Sequence, residues 1–320
     1  MLTLVLDRRA VRELMDMGDV LAAVEQAFRD LGQGRAAQPS KSYIAVPDGD
    51  FRAMPAALPG AAGLKWVNVH TGNAARGLPT VMGVMLLNDP ATGYPIAIMD
   101  GTDLTAFRTG ATAAIASKYL ARRDARTLGI VGAGRQAYSQ VEAHRLLFDI
   151  TSVLVYDLDP ARAAKLAAAF PGLPVAFKPL EEVAAADIIC TLTPSREPYL
   201  KKAWLRPGAH VNAVGADAKG KEELDPGILN AARVVVDDVK QASAAGEINV
   251  PVSKGLFSVE NIHATLADLV TGAKPGREDA DGITVFDATG VAVEDVAVAS
   301  VLYKKAIERG TYPSLDLLGF

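Results

Sequence analysis

The chain has 320 residues but only one cysteine, Cys190, so no internal disulfide can form. Cys190 lies in the apolar run DIICTL, where a buried small hydrophobe is expected, and its isolation fits a reducing cytosol. An excess of positive charge is also missing. Lys and Arg number 33 against 37 Asp and Glu, a net charge of −4 with a pI near 5.7. No basic field therefore marks a nucleic-acid binder, and groupings such as Arg122-Arg123 and Lys201-Lys202 read as solvated helix ends. No apolar run approaches the roughly 18 residues of a membrane span. The leading MLTLVLDRRA meets charge too early for the h-region of a secretory signal. A cytoplasmic protein with no membrane or nucleic-acid partner is expected, and no metal. Internal repeats and low-complexity segments are absent as well. Half the residues are hydrophobic and 22% are charged, a globular composition in a chain long enough for two domains.

The rest of the chain is organised around Thr127 to Asp159 (TLGIVGAGRQAYSQVEAHRLLFDITSVLVYDLD). An apolar run meets Gly132, Ala133 and Gly134, a helical pattern follows, and a second apolar run ends on Asp157. This is the length of one βαβ unit. Gly132 lets the chain turn out of the strand, Gly134 has no Cβ to block a pyrophosphate, and Ala137 allows close helix–strand packing. The N–H groups opening the helix, at Arg135 and Gln136, would face the phosphates. Asp157, 20 residues past Ala137, would accept from the adenosine ribose and repel a 2′-phosphate, favouring NAD over NADP. Arg135 and Arg162 stand near enough in sequence to weaken that preference. The bland alternative makes Asp157 the start of a solvated turn before Pro160.

Residues 1–34 read as a strand, a helix capped by Asp7 and a second helix ending at Gly32 or Gly34. Between 40 and 100 the segments SYIAV, FRAMPA, GLKWVNVH, TVMGVMLLN and YPIAIMD are β-type, with NDPATG as a hairpin turn. This region is an α+β unit built mainly on antiparallel strands. Asp103 to Arg122 reads as one long helix that places Arg108 and Thr112 on a single face. Its small residues, Thr109 to Ala114, would allow close approach of a flat ligand or simply of another helix. From Thr127 the β-type segments alternate with Ala-rich helices. VLVYD, PVAFK, DIICTLT, HVNAVG, RVVVDD and ITVFDAT follow the first strand. A Rossmann-type doubly wound parallel sheet results, with ligand expected beyond the strands' carboxyl ends, where Thr193, Gly215, Asp217 and Thr289 fall.

Lys41, Arg52, Lys65 and Arg108 are cations in apolar or structured settings. Singly, each reads more readily as a surface charge. Together they suggest a pocket for a small carboxylate, which arginine grips bidentately.

In their order along the whole chain, FRAMPA, GLKWVN, GLPTV, FRTGAT, GAGRQA, TPS, VGAD, GEIN and FDATG resemble the ornithine cyclodeaminase and mu-crystallin family. The resemblance implies a homodimer of two-domain subunits. A substrate-binding and dimerisation domain would comprise residues 1–115 and 291–320, the last helix returning to it, and an NAD-binding domain residues 116–290. It also implies roles. Lys65 would stand beside the reacting carbon for proton transfer and carboxylate contact, and Arg108 would bind the α-carboxylate. Asp217 would position water or the amine, and Lys41 would be a further substrate lysine. Arg52 departs from the glutamate that cyclodeaminases use for ornithine's distal ammonium, so ornithine would meet repulsion. The expectation is NAD-dependent, reversible deamination of a small amino acid such as L-alanine to a 2-oxo acid. The alternatives are a cyclic ketimine reductase, an ornithine cyclodeaminase and a non-catalytic nucleotide-dependent binding protein.

Overall fold

A computed structural model describes residues 2–319. The chain forms two compact units, Met1–Arg108 with Val291–Phe320, and Thr109–Gly290.

In the first unit β1 (Thr3–Leu6), α1 (Arg8–Leu14) and α2 (Met17–Gly32) precede a run of strands. Asp7 and Asp16 accept from the first turns of α1 and α2, satisfying amides that a helix start leaves unpaired. β2 (Ser42–Val46), β3 (Gly49–Leu58), β4 (Ala61–Val69), β5 (Val81–Asn88) and β6 (Pro95–Asp100) form an antiparallel meander. β1 joins β6 in parallel, which makes the sheet mixed. The NDPATG turn closes β5 onto β6, with the Asp89 amide donating to the Tyr94 carbonyl. α3 (Gly101–Leu120) begins two residues earlier than its pattern indicates, because Asp100 accepts from the Asp103 amide.

The second unit contains β7 (Thr127–Val131), α4 (Arg135–Leu147), β8 (Ser152–Tyr156), α5 (Pro160–Ala169) and β9 (Val175–Phe177). Then come α6 (Leu180–Ala184), β10 (Ile188–Thr191), β11 (His210–Ala213), α7 (Pro226–Leu229), β12 (Ala232–Val236), α8 (Val239–Ala245) and α9 (Asn249–Ser253). β13 (Ile262–Thr265), α10 (Leu266–Thr271) and β14 (Ile283–Asp287) complete it. The eight strands run in the order β13-β12-β14-β11-β10-β7-β8-β9, every pair parallel. The edge strand β13 escapes the periodicity reading. Only four residues long, it passes directly into α10 through the Thr265–Asp268 capping box.

α11 (Ala292–Arg309) and β15 (Ser314–Leu315) return to the first unit. α11 packs on α2 and across β3, β4 and β5.

Strand alternation then assigns each sheet residue a face. Arg52, Met54, Lys65, Val67 and Met85 are buried or nearly so on one face, while Trp66 and Val84 stand exposed on the other, where Phe51 stacks on Trp66 at 5.5 Å.

In the second unit a buried polar chain ties the last turns of α3 to the sheet. Ser117 lies 3.0 Å from His144, Asn212 donates to Ser117, and His210 lies between Asn212 and Thr284. Burial lowers the His144 pKa to about 4. Burial and the charge of Arg277 lower that of His210 to about 3. Both rings are neutral in the folded state, and both would gain protons on unfolding below their ordinary pKa near 6.5. Their contribution is complete above that pH and declines as pH falls toward 3–4. Glu223 and Glu247, whose pKa values burial raises, act in the opposite sense. The histidine effect is therefore read by difference. The destabilisation caused by His144→Gln should shrink by about 2–3 kcal/mol between pH 7 and pH 4.5, as measured by denaturant melts at both values.

Candidate active site

The glycine turn lies where the strand order reverses, between β7 and β10. Gly132 has φ +98°, a conformation open to glycine, and a Cβ there would sit 3.1 Å from the Leu192 carbonyl that follows β10. Gly134 differs. Its φ is −76° and a Cβ would meet nothing within 4 Å, so neither backbone nor packing of this chain demands glycine. It caps α4 without any side-chain hydrogen bond, leaving an anion-ready helix start. Asp157, just beyond β8, accepts from the Ala133 amide at 2.7 Å and the Asp159 amide at 2.9 Å. It is thus clamped to the turn, with Arg162 4.0 Å away and largely exposed. A dinucleotide fits these residues: small side chains at the turn, open space at Gly134 and a carboxylate at the end of the second strand.

Around this crevice Glu223 organises two loops. One carboxylate oxygen accepts from the Thr193 amide and hydroxyl and from Tyr199. The other accepts from the Thr191 hydroxyl and the Gly215 amide. A Cβ on Gly215 would lie 2.2 Å from the Thr193 carbonyl, so the two loops touch backbone to backbone. Asp217 pairs with Lys221 at 2.5 Å and remains partly exposed. The Thr289 hydroxyl donates to Asp237. Thr112 is buried in α3, and Gly110, two residues earlier, abuts the Ser139 backbone of α4. At Gly110 the small residue serves helix packing.

In the first unit all four singled-out cations are buried, contrary to the surface reading that each has alone. The reason is the sheet register, which turns Arg52 and Lys65 toward α11. Lys65 is 1% exposed and donates to Asp295 at 2.8 Å. Arg108 donates to the same Asp295 oxygen at 3.1 Å and to Glu294 at 2.6 Å. Burial, then the Arg108 charge, bring the Lys65 pKa down to about 7, with Asp295 opposing. Arg52 makes a forked pair with Asp50 and lies over the Tyr43 ring. That ion pair partly neutralises the position argued to repel ornithine, so the charge argument alone is weaker than the sequence implies. Arg122, expected as a solvated helix end, instead holds Asp187 at 2.6 Å.

Residues 1–310 match the family described as ornithine cyclodeaminase/mu-crystallin. The chain belongs to that family. Among its members, the alanine dehydrogenase of Archaeoglobus fulgidus is 49% identical over 309 residues, 96% of each chain. The solved archaeal alanine dehydrogenase dimer with bound NAD superposes with a TM-score of 0.98 at 48% identity, covering 99% of this chain and 100% of the other. The Thermococcus litoralis Delta(1)-pyrroline-2-carboxylate reductase, solved with NADH and L-proline, gives 0.95 at 37% identity, covering 98% and 100%. The Rossmann-type reading of the second unit agrees with these likenesses. Sequence reasoning missed the family member's Glu223, Glu294 and Asp295. Only the adjacent acids in AVEDVAVAS, an otherwise apolar helix start, could have drawn attention to the last two.

Proposed function

We propose that this protein is an NAD-dependent oxidoreductase that reversibly deaminates L-alanine, or a similarly small amino acid, to a 2-oxo acid and ammonia. The observation that carries the reading is the buried Lys65, paired with Arg108 on one acidic cluster and shifted to a proton affinity near neutrality. Likeness to the alanine dehydrogenases supports the substrate.

Gly132, Gly134 and the α4 start at Arg135, Gln136 and Ala137 would hold the pyrophosphate, with Asp157 on the adenosine ribose and Thr112, Thr193, Gly215 and Thr289 contributing to the nucleotide site. Bound NAD would supply the acceptor for the substrate's Cα hydride. Arg108 and Lys65 hold the carboxylate, assisted by Lys41 and Arg52, and so orient the Cα–H bond. The amine loses a proton as the C=N bond forms, and water then adds at Cα. Breaking the C–N bond releases ammonia and leaves the oxo acid. Lys65 takes and returns protons at these steps, and Asp217 positions the water or the departing amine. Residues 1–115 and 291–320 form the substrate and dimerisation domain, and 116–290 the nucleotide domain. The exposed apolar face bearing Ile44, Trp66 and Val84 supports a homodimer.

The likeness to the pyrroline-2-carboxylate reductase favours a second reading, reduction of a cyclic ketimine acid with the same carboxylate grip. Assays of L-alanine with NAD and NADP, beside Δ1-pyrroline-2-carboxylate with the reduced cofactors, separate the two. Faster turnover of alanine with NAD is expected. Turnover of the cyclic imine alone would select the second reading.

A further inference from the structure

The carboxylates beneath the substrate grip come from the far end of the chain. Glu294 and Asp295 occupy the first turn of α11, and both are fully buried. The positive end of the helix dipole favours acids there. Even so, burying two anions and two cations together is no route to maximal stability, since apolar side chains of similar volume would serve at least as well. The geometry is specific. Asp295 Oδ1 accepts from both Lys65 Nζ and Arg108 Nε, while Glu294 accepts from Arg108 Nη1 with one carboxylate oxygen and from the Val291 amide, at the start of α11, with the other. Asp295 Oδ2 is buried without a hydrogen-bond partner among the described residues.

Resting on the amino-acid dehydrogenase reading, we propose that Asp295 and Glu294 are positioning residues for the substrate grip, Asp295 aiming the Lys65 ammonium and Glu294 the Arg108 guanidinium. Lys65 has one hydrogen-bond partner among the described residues, Asp295, and an ammonium has three donors. Two N–H groups are left to meet a carboxylate. Asp295 also sets when Lys65 releases its proton. Arg108 on α3 and burial drive the proton off. Asp295 and Glu294 on α11 retain it. On the same sheet face Arg52 of β3 is paired with Asp50, and the residues opposite Lys65 in register, Met54 and Met85, are neutral. Removing the Asp295 charge takes away the larger of the two opposing influences and leaves Glu294 alone against burial and the Arg108 charge.

The test uses the full-length protein with Asp295→Asn, Glu294→Gln and Lys65→Met. With L-alanine and NAD, Asp295→Asn should move the Lys65 limb of the kcat/KM profile to lower pH by about one unit, a tenfold change in proton affinity. Glu294→Gln should raise KM for alanine roughly tenfold, with a smaller change in kcat. A profile unmoved in Asp295→Asn, with only the melting temperature reduced, would overturn the proposal. A second arm needs no substrate. Lys65→Met and Asp295→Asn should each lower the melting temperature, and the double variant should lose clearly less than their sum. Additive losses would equally overturn the proposal. If the wild type turns over neither alanine nor the cyclic imine, the functional reading fails, and the double-variant cycle still decides whether Asp295 holds Lys65.

Discussion

Lys65→Met is expected to lower kcat/KM for L-alanine by about 10²–10⁴, the range associated with loss of a positioned proton-transfer group. Methionine is close to lysine in length and suits an apolar sheet face, so the change removes the ammonium with little change in volume. The variant leaves Arg108 alone on Asp295, still paired, so the fold should survive with a lower melting temperature. Most of the loss should fall in kcat, because proton transfer ends with the ammonium while Arg108 still grips the carboxylate. Steady-state kinetics with alanine and NAD, alongside a melting curve, provide the check. Turnover within threefold of wild type in a folded Lys65→Met protein would remove Lys65 from the chemistry.

Gly134→Val is expected to weaken NAD binding roughly a hundredfold, about 2.7 kcal/mol, with a melting temperature within a few degrees of wild type. Glycine at this position is unnecessary for the chain itself, since φ is −76° and a Cβ would meet open space. A residue that neither backbone nor packing requires, at an uncapped helix start, points to a ligand as the reason. Gly132 offers the contrast. Its φ of +98° means that any substitution there strains the turn and confounds binding with folding. Titration of NAD into both proteins separates the cases. Unchanged affinity in Gly134→Val would place the pyrophosphate elsewhere.

The nucleotide half was legible because its signals are local. The turn, its helix and Asp157 all lie within Thr127 to Asp159, and each glycine has a geometric reason that can be stated before any coordinates. The substrate half was legible only in part. Lys65 and Arg108 could be singled out, but their burial depends on the register that pairs Met54 with Lys65 and Lys65 with Met85, and on α11 covering that face. Lys65 and Asp295 are 230 residues apart, and no periodicity links them. Arg52 misled in a different way. Its charge was visible, while no pattern in the sequence marked Asp50, two residues earlier, as its partner. β13 was lost because four residues carry too little alternation to stand out beside the helix cap that follows.

The most direct measurement is a crystal structure of the protein with NAD and pyruvate. The expected result is the pyruvate carboxylate within hydrogen-bond reach of Lys65 and Arg108, with Lys65 still on Asp295. Pyruvate bound away from both cations, in a crystal form whose crystals turn over L-alanine with NAD, would contradict the proposed substrate grip.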